Sequence, residues 1–489
     1  MKLEGLFESG EKILEEYGDV KIISRSGREF PLYRLEKVVL SPEEKKEVEK
    51  LLEVMRGKVT VEPFSTEERK LAYVDIVYEH LKKKSLSKES IEKITKHVLY
   101  SLTGFGVLQF FLEDDNLEEI MVIGVNAPVY VFHRKHGACE TNLTFEKAEE
   151  IKWIIDRVAM SAGRHVDFQT PILDATLPDG SRVNATIPPI SLEGPTITVR
   201  KFRKDPLTII DLLNYRTLSP ELAAFLWMCI EGIDSPPNIL IAGGTSSGKT
   251  TLLNVLSSFV PSNERIITIE DTPELFLPLP HVIRLETRPP NVEGKGELSS
   301  DILLKNTLRM RPDRVIMGEV RGIEARTLFN AMNTGHKGVT GTIHANSSSE
   351  VISRVENPPM EVPVNMLTSL DLIVLIEGMR TKDRGLLRRV TDVSEVRYAG
   401  GGTVKLNKLY RYDPAEDTCK STNIPGRIEM GLTEALRIRG TDYKEELKRR
   451  EELLIWMQKQ GIRKISDVIK LIQAYRINPE RVMKKIKEK

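Results

Sequence analysis

The chain has 489 residues, with 72 Lys and Arg against 71 Asp and Glu and a formal charge of +1. That length exceeds one hydrophobic core and predicts roughly three units at about 150 residues each, while the balanced charge excludes a global field toward nucleic acid or an anionic membrane. The three cysteines, Cys139, Cys229 and Cys419, lie far apart without metal-ligand spacing, which excludes a disulfide framework and suits a reducing compartment.

Residues 1–90 are charged and helix-prone and are expected to form a helical N-terminal extension. Ser41-Pro42-Glu43-Glu44 reads as an N-cap, a proline at the first helical position and acids in the first turn, with Lys45 to Val54 continuing the helix. The run Lys82-Lys83-Lys84 reads as a solvated face. Residues 91–200 change texture: an amphipathic helix (Ile91, Ile94, Val98, Leu102) precedes two apolar runs, 119–124 and 129–133, split by Asn126-Ala127-Pro128. A second helix (Ile151, Ile154, Val158, Ala162) precedes hairpin signals at 175–187 and 193–199. Strands clustered around single helices predict an α+β domain with an antiparallel sheet. Lys201 to Pro206, charged and ending in proline, is the expected linker.

Residues 207–410 alternate apolar runs with helical stretches, the runs being 239–242, 266–269, 315–317, 339–342 and 372–376. That alternation predicts a mainly parallel sheet with helices on both faces, and ligands in such sheets sit at the carboxyl ends of the strands. Hairpin-like segments around Gly400-Gly401-Gly402 follow, and 411–489 is expected to be a mainly helical C-terminal extension. No apolar run approaches the ~20 residues of a spanning helix, and the first residues lack the apolar segment of a signal peptide. The expected location is therefore the cytosol, with a membrane reached only through partners.

The first apolar run of that sheet leads into Gly243-Gly244-Thr245-Ser246-Ser247-Gly248-Lys249-Thr250-Thr251, the strand, phosphate loop and helix order of a P-loop nucleotide site. The glycines let successive backbone N–H groups and a helix N-terminus converge on phosphates. Lys249 brings a mobile positive charge to the β- and γ-phosphates, and Thr250 offers a hydroxyl to Mg²⁺. After the run 266–269 stands Glu270, a carboxylate placed to orient or deprotonate an attacking water. After 315–317 come Gly318 and Glu319, with Gly318 where other P-loop ATPases carry an aspartate of the Mg²⁺ shell. Glu319 is expected to bind Mg²⁺ through water or to help place the nucleophile, and spacing leaves open which glutamate is the base. His336 and His344 flank another run and are read as sensors of the γ-phosphate.

Four ordered segments carry a resemblance: 243–251, 269–274, 308–321 and 334–346. They resemble the Walker A, Asp box, Walker B and His box of the type II/IV secretion and type IV pilus ATPases, motors of secretion systems, pili and archaeal flagella. The tail around 405–413 and 454–457 is similar to archaeal members. Gly318 for aspartate is usual in that family. The resemblance implies a RecA-like motor domain, a ring of six, ATP and Mg²⁺ as cofactors, and a polytopic membrane platform protein as partner. The expected place is then peripheral on the inner face of the cytoplasmic membrane. It also implies that two arginines of the N-terminal domain reach the nucleotide: Arg182 and Arg200 match by their settings, with Arg203 a third candidate. Nucleic acid is not an expected partner, since aromatic residues are only 6% and the charge is near zero. The alternatives are a nucleic-acid translocase on the same fold, revealed by stimulation with single-stranded DNA, and a nucleotide-gated structural ring with negligible catalysis.

Overall fold

A computed structural model describes residues 10–56, 67–84, 86–202, 206–233, 235–288, 290, 295–381, 385–400 and 403–487. The chain divides into two compact units, Met1–Lys204 and Asp205–Lys489.

In the first unit a nine-stranded sheet runs in the order β1-β2-β3-β6-β5-β4-β9-β8-β7. Its strands are β1 (Glu11–Tyr17), β2 (Val20–Arg25), β3 (Leu32–Leu35), β4 (Leu117–Val122), β5 (Pro128–His133), β6 (Gly137–Thr144), β7 (Ile172–Thr176), β8 (Arg182–Thr186) and β9 (Thr196–Arg200). Among the described residues of this sheet only β3 and β6 pair in parallel. Period-two alternation turns Val129, Val131, Val183, Ala185, Ile197 and Val199 inward, where Ile151, Ile154, Ile155 and Val158 of one helix meet them. Three other helices, α1 (Pro42–Arg56), α2 (Glu67–Leu81) and α3 (Lys88–Thr103), bury Leu51, Met55, Val77, Leu81, Ile94 and Val98 among themselves. The start of α1 is the expected cap: Glu44 N donates to Ser41 Oγ at 3.2 Å and Ser41 N donates to Glu44 Oε2 at 2.8 Å. A short α4 (Gln109–Leu112) and the sheet-covering α5 (Ala148–Ser161) complete the unit.

The wholly helical extension expected for 1–90 is corrected, because β1, β2 and β3 join the sheet of this unit. Charge misled here. An edge strand such as Glu11–Tyr17 is exposed along most of its length and carries charged residues, as unpaired sheet edges do. The expected linker also begins late. Lys201 N donates to Glu118 O at 2.8 Å, Phe202 N donates to Ser181 Oγ at 3.0 Å, and Lys201 Nζ donates to the Phe111 carbonyl at 3.2 Å. Burial lowers the Lys201 ammonium to about 8.

The second unit holds another nine-stranded sheet, in the order β12-β11-β13-β14-β10-β15-β16-β17-β18. Its strands are β10 (Ile239–Gly243), β11 (Ile266–Glu270), β12 (Val282–Glu286), β13 (Arg314–Val320), β14 (Thr340–His344), β15 (Leu372–Thr381), β16 (Gly385–Gly400), β17 (Thr403–Asp413) and β18 (Thr418–Ser421). From β12 to β15 neighbours are parallel, and from β15 to β18 antiparallel. The helices are α6 (Ile209–Asn214), α7 (Pro220–Glu231), α8 (Lys249–Ser257), α9 (Ser300–Thr307), α10 (Glu324–Asn333), α11 (Ser348–Glu356), α12 (Val364–Leu367), α13 (Arg427–Ile438), α14 (Tyr443–Lys459), α15 (Ile465–Ile477) and α16 (Pro479–Lys487). This is the RecA-like α/β arrangement, since the strand carrying the phosphate loop lies central and β14 is inserted between it and β13.

The expected boundary at 410 is corrected as well. β17 and β18 extend the same sheet, and Leu453, Leu454, Met457, Ile472 and Tyr475 share one core with Leu252 and Leu256 of α8. A buried cation fastens this tail. Arg450 Nη1 bonds Glu231 Oε2 at 2.7 Å and its Nε bonds Glu446 Oε1 at 2.8 Å, while the guanidinium lies 4.6 Å from the centroid of the Trp227 ring. Arg450→Met should therefore destabilise the protein by about 3–5 kcal/mol in denaturant titration, because two buried carboxylates lose their counter-charge. A loss below 1 kcal/mol would show that the tail is held by its apolar face alone.

All three cysteines are buried thiols, with burial pushing Cys139 up to about 11 and Cys419 up to about 12. No helix of the described residues is long and apolar enough to cross a membrane.

Candidate functional site

β10 brings the chain to Gly243 at the carboxyl edge of the sheet, between β14 and β15. A Cβ there would lie 2.3 Å from the Ile376 carbonyl oxygen and 2.4 Å from Ser247 Oγ, so only glycine lets the loop close against β15. Ser246 and Gly248 take left-handed φ of 58° and 96°, the turn that ends the loop at the first residue of α8. The α8 N-terminus supplies unbonded N–H groups and the positive end of the helix dipole, the physical basis of phosphate binding. Gly244 O accepts from both Ser247 Oγ and Lys249 Nζ at 2.9 Å. Burial lowers the Lys249 ammonium below its ordinary value, with the nearby Glu319 carboxylate pulling it back up and Arg321 pushing it down. Thr245 and Ser246 are exposed, while Thr250 and Thr251 are half-buried in the first turn of α8.

Glu270 ends β11 at the same edge and is only 3% exposed. Its Oε1 accepts the backbone N–H groups of Glu274 and Leu275, both at 2.9 Å. Burial nevertheless raises its carboxyl to about 7, more than those donors lower it. The neighbouring strand explains Gly318: a Cβ on it would stand 3.0 Å from Glu270 Cγ. An aspartate at 318 would press on the buried glutamate. Glu319 follows on β13 and bonds the Arg321 guanidinium, which also lies 3.8 Å from Asp271. Thr342 Oγ1 donates to Gly318 O at 2.6 Å, tying β14 to this turn. Beside it opens a cleft of about 350 Å³ lined by Asp271, Thr287, Arg288, Glu319, Arg321 and Glu324 among others.

The edge thus gathers the phosphate loop, Glu270 and Glu319. It does not gather both histidines. His344 ends β14 directly opposite Gly243, whereas His336 precedes the start of that strand and lines a cleft of about 450 Å³ with Pro236, Glu264, Arg314 and Lys337. About 13 Å of strand lies between them, so within this unit His336 does not stand at the loop's edge. His336 precedes its strand and so stands at the amino end, away from the carboxyl edge that a parallel sheet turns to its ligand.

Arg182 and Arg200 belong to the first unit, where they stand opposite each other on β8 and β9, both exposed. Arg203 lies outside the described residues. Two loop neighbours escaped the sequence reading as site residues. Asn346 Oδ1 comes 3.2 Å from where a Gly244 Cβ would stand, and Arg388 Nε donates to Ser246 O at 3.1 Å. Asn346 lies two residues beyond His344 and was within reach of inspection, but Arg388 is 142 residues from Ser246 and carries no motif.

Thr250 Oγ1 and the Glu319 carboxylate offer the hard oxygen donors Mg²⁺ takes beside phosphates, and these residues fit that ion. When bound, it would neutralise phosphate charge.

A central strand, a phosphate loop and carboxylates at the carboxyl edge define a P-loop nucleotide-binding protein with a RecA-like domain. The chain belongs to the type II/IV secretion system protein family, whose model matches residues 103–471. It is similar to an uncharacterised protein of Methanocaldococcus jannaschii, 55% identical over 252 residues that make up 51% of this chain and 35% of that one. A second protein of that organism is 36% identical over 337 residues, 68% of this chain and 60% of that one. The conjugal transfer protein TrbB of Rhizobium radiobacter is 31% identical over 294 residues, 58% of this chain and 85% of that one. The chain thus spans 35% and 60% of the length of the two archaeal relatives.

Proposed function

We propose that this chain is a Mg²⁺-dependent ATPase working as a homohexameric ring on the inner face of the cytoplasmic membrane. There it drives a secretion, pilus or archaeal flagellum machine through a polytopic platform protein. The observation that carries the hydrolytic part is a carboxyl raised to about 7, Glu270, on the same sheet edge as the phosphate loop. A base whose pKa lies near the working pH is the most effective for activating water. Glu319, held by Arg321 and electrostatically coupled to Lys249, suits the Mg²⁺ shell better than proton transfer. Family membership supports the motor role, and the conjugal transfer relative supports a membrane machine. Arg182 and Arg200 are proposed to reach the γ-phosphate from the first unit, so that ATP binds more tightly to one domain arrangement than another and hydrolysis shifts the balance.

Lys249→Ala protein should remain folded by circular dichroism and lose about 10²–10³ in ATP turnover, as removal of a transition-state charge donor does. Retained turnover would end the ATPase assignment.

A further inference from the structure

The hairpin β15–β16 carries two adjacent arginines whose side chains do different things. Residues 388 and 389 face opposite sides of β16, as alternation along a strand requires. Arg389 is 3% exposed and grips Asp417 with Nε at 2.7 Å and Nη2 at 2.8 Å, while its Nη1 reaches Tyr215 O at 2.9 Å. It pins the hairpin to the body of the second unit. Arg388, pairing in register with Gly378, turns to the phosphate loop instead. Its Nε donates to Ser246 O at 3.1 Å, and its Cδ stands 3.1 Å from where a Cβ of Gly248 would be.

The contact falls on the strained part of the loop. Ser246 is a non-glycine residue at φ 58°, a conformation that persists only when the surroundings hold it. The Ser246 carbonyl shares a peptide plane with the Ser247 N–H, so fixing one fixes the direction of the other. Ser247 N in turn donates to Gly244 O at 3.4 Å, the same oxygen that receives Lys249 Nζ. Arg388 is therefore linked through one peptide plane to the atoms that arrange the cradle. Among the described residues the Arg388 side chain makes this one hydrogen bond, to Ser246 O.

We propose that Arg388 is a positioning residue of the nucleotide site: from the same chain it holds the Ser246 peptide so that the phosphate loop is preorganised for a nucleoside di- or triphosphate. This rests on the ATPase reading.

The test uses the full chain, with ribose-labelled fluorescent ADP and a non-hydrolysable ATP analogue as probes, and Lys249→Ala measured alongside. Arg388→Met should weaken both nucleotides about tenfold, the worth of one hydrogen bond to a charged donor, and should raise KM for ATP more than it lowers kcat. Melting without nucleotide should match the wild type, while the nucleotide-induced rise in Tm shrinks. Arg388→Lys, which keeps the charge but has no Nε–H, should recover less than half of the loss. Affinity within twofold of wild type for Arg388→Met, or larger recovery by Arg388→Lys, overturns the inference. Should Arg388→Met not fold, Arg388→Gln is read by the same criteria. If Lys249→Ala also binds like wild type, the phosphate-loop reading has failed. If Lys249→Ala abolishes binding while Arg388→Met leaves it unchanged, only the role of Arg388 has failed.

Discussion

Glu270→Gln should lower ATP turnover by about 10²–10⁴, the usual worth of a positioned general base, while leaving nucleotide affinity close to the wild type. Glutamine keeps an oxygen to accept the Glu274 and Leu275 N–H groups, which the glutamate receives at 2.9 Å. What it loses is the capacity to take a proton. The same residue sets a pH profile. A base must be ionised, and this carboxyl is raised from 4.5 to about 7, so wild-type turnover should climb with pH up to about 7 and then level. The stability consequence has the opposite direction. A group whose folded pKa is raised contributes stability that is fully present below its unfolded value and is lost as pH rises through the folded one. Between about pH 4.5 and 7 the wild type should therefore lose stability relative to Glu270→Gln, read as diverging denaturation midpoints. A flat turnover profile across that range, or Gln turnover within tenfold of wild type, would move the base elsewhere, with Glu319 the next candidate.

Arg182→Ala and Arg200→Ala should each reduce turnover by about 10³–10⁵, the range for an arginine that neutralises charge on a transferring phosphoryl group. Their arrangement supports the expectation. The two residues are direct cross-strand partners, both exposed, so their guanidinium groups leave the same face of the first unit's sheet. Binding of ADP, which lacks the γ-phosphate, should change little in either variant, so measuring ADP affinity beside ATP turnover separates this role from a general loss of fold. Turnover within threefold of wild type in both variants would remove the arginines from the reaction.

Much of the nucleotide site was legible because phosphate binding demands a local pattern. Gly243 to Thr251 form one strand, turn and helix, and every requirement falls within nine residues. Glu270 and Glu319 were legible for a related reason, since each follows an apolar run whose carboxyl end must face the ligand in a parallel sheet. Gly318 stood out in the sequence as a departure from P-loop ATPases at large. Its cause became visible only as a 3.0 Å approach to Glu270 Cγ from the adjacent strand.

Other features depended on contacts between distant segments. Charged residues in β1 resembled a helical surface because an edge strand and an exposed helix both carry them. The tail from 411 resembled an appendage because its buried ion group, Arg450 with Glu231 and Glu446, joins partners 219 and 4 residues apart.

The amino-acid sequence by itself determined the nucleotide cradle, the two acidic strand ends, the alternation that makes the parallel sheet, and the family. These are short-range patterns: periodicity, turn chemistry and spacing act between residues a few positions apart. Only the tertiary structure decided that Glu270 is buried enough to be raised to about 7 and that Arg388 bears on Ser246. Desolvation and contact depend on which segments the chain packs together, and no local window contains that information.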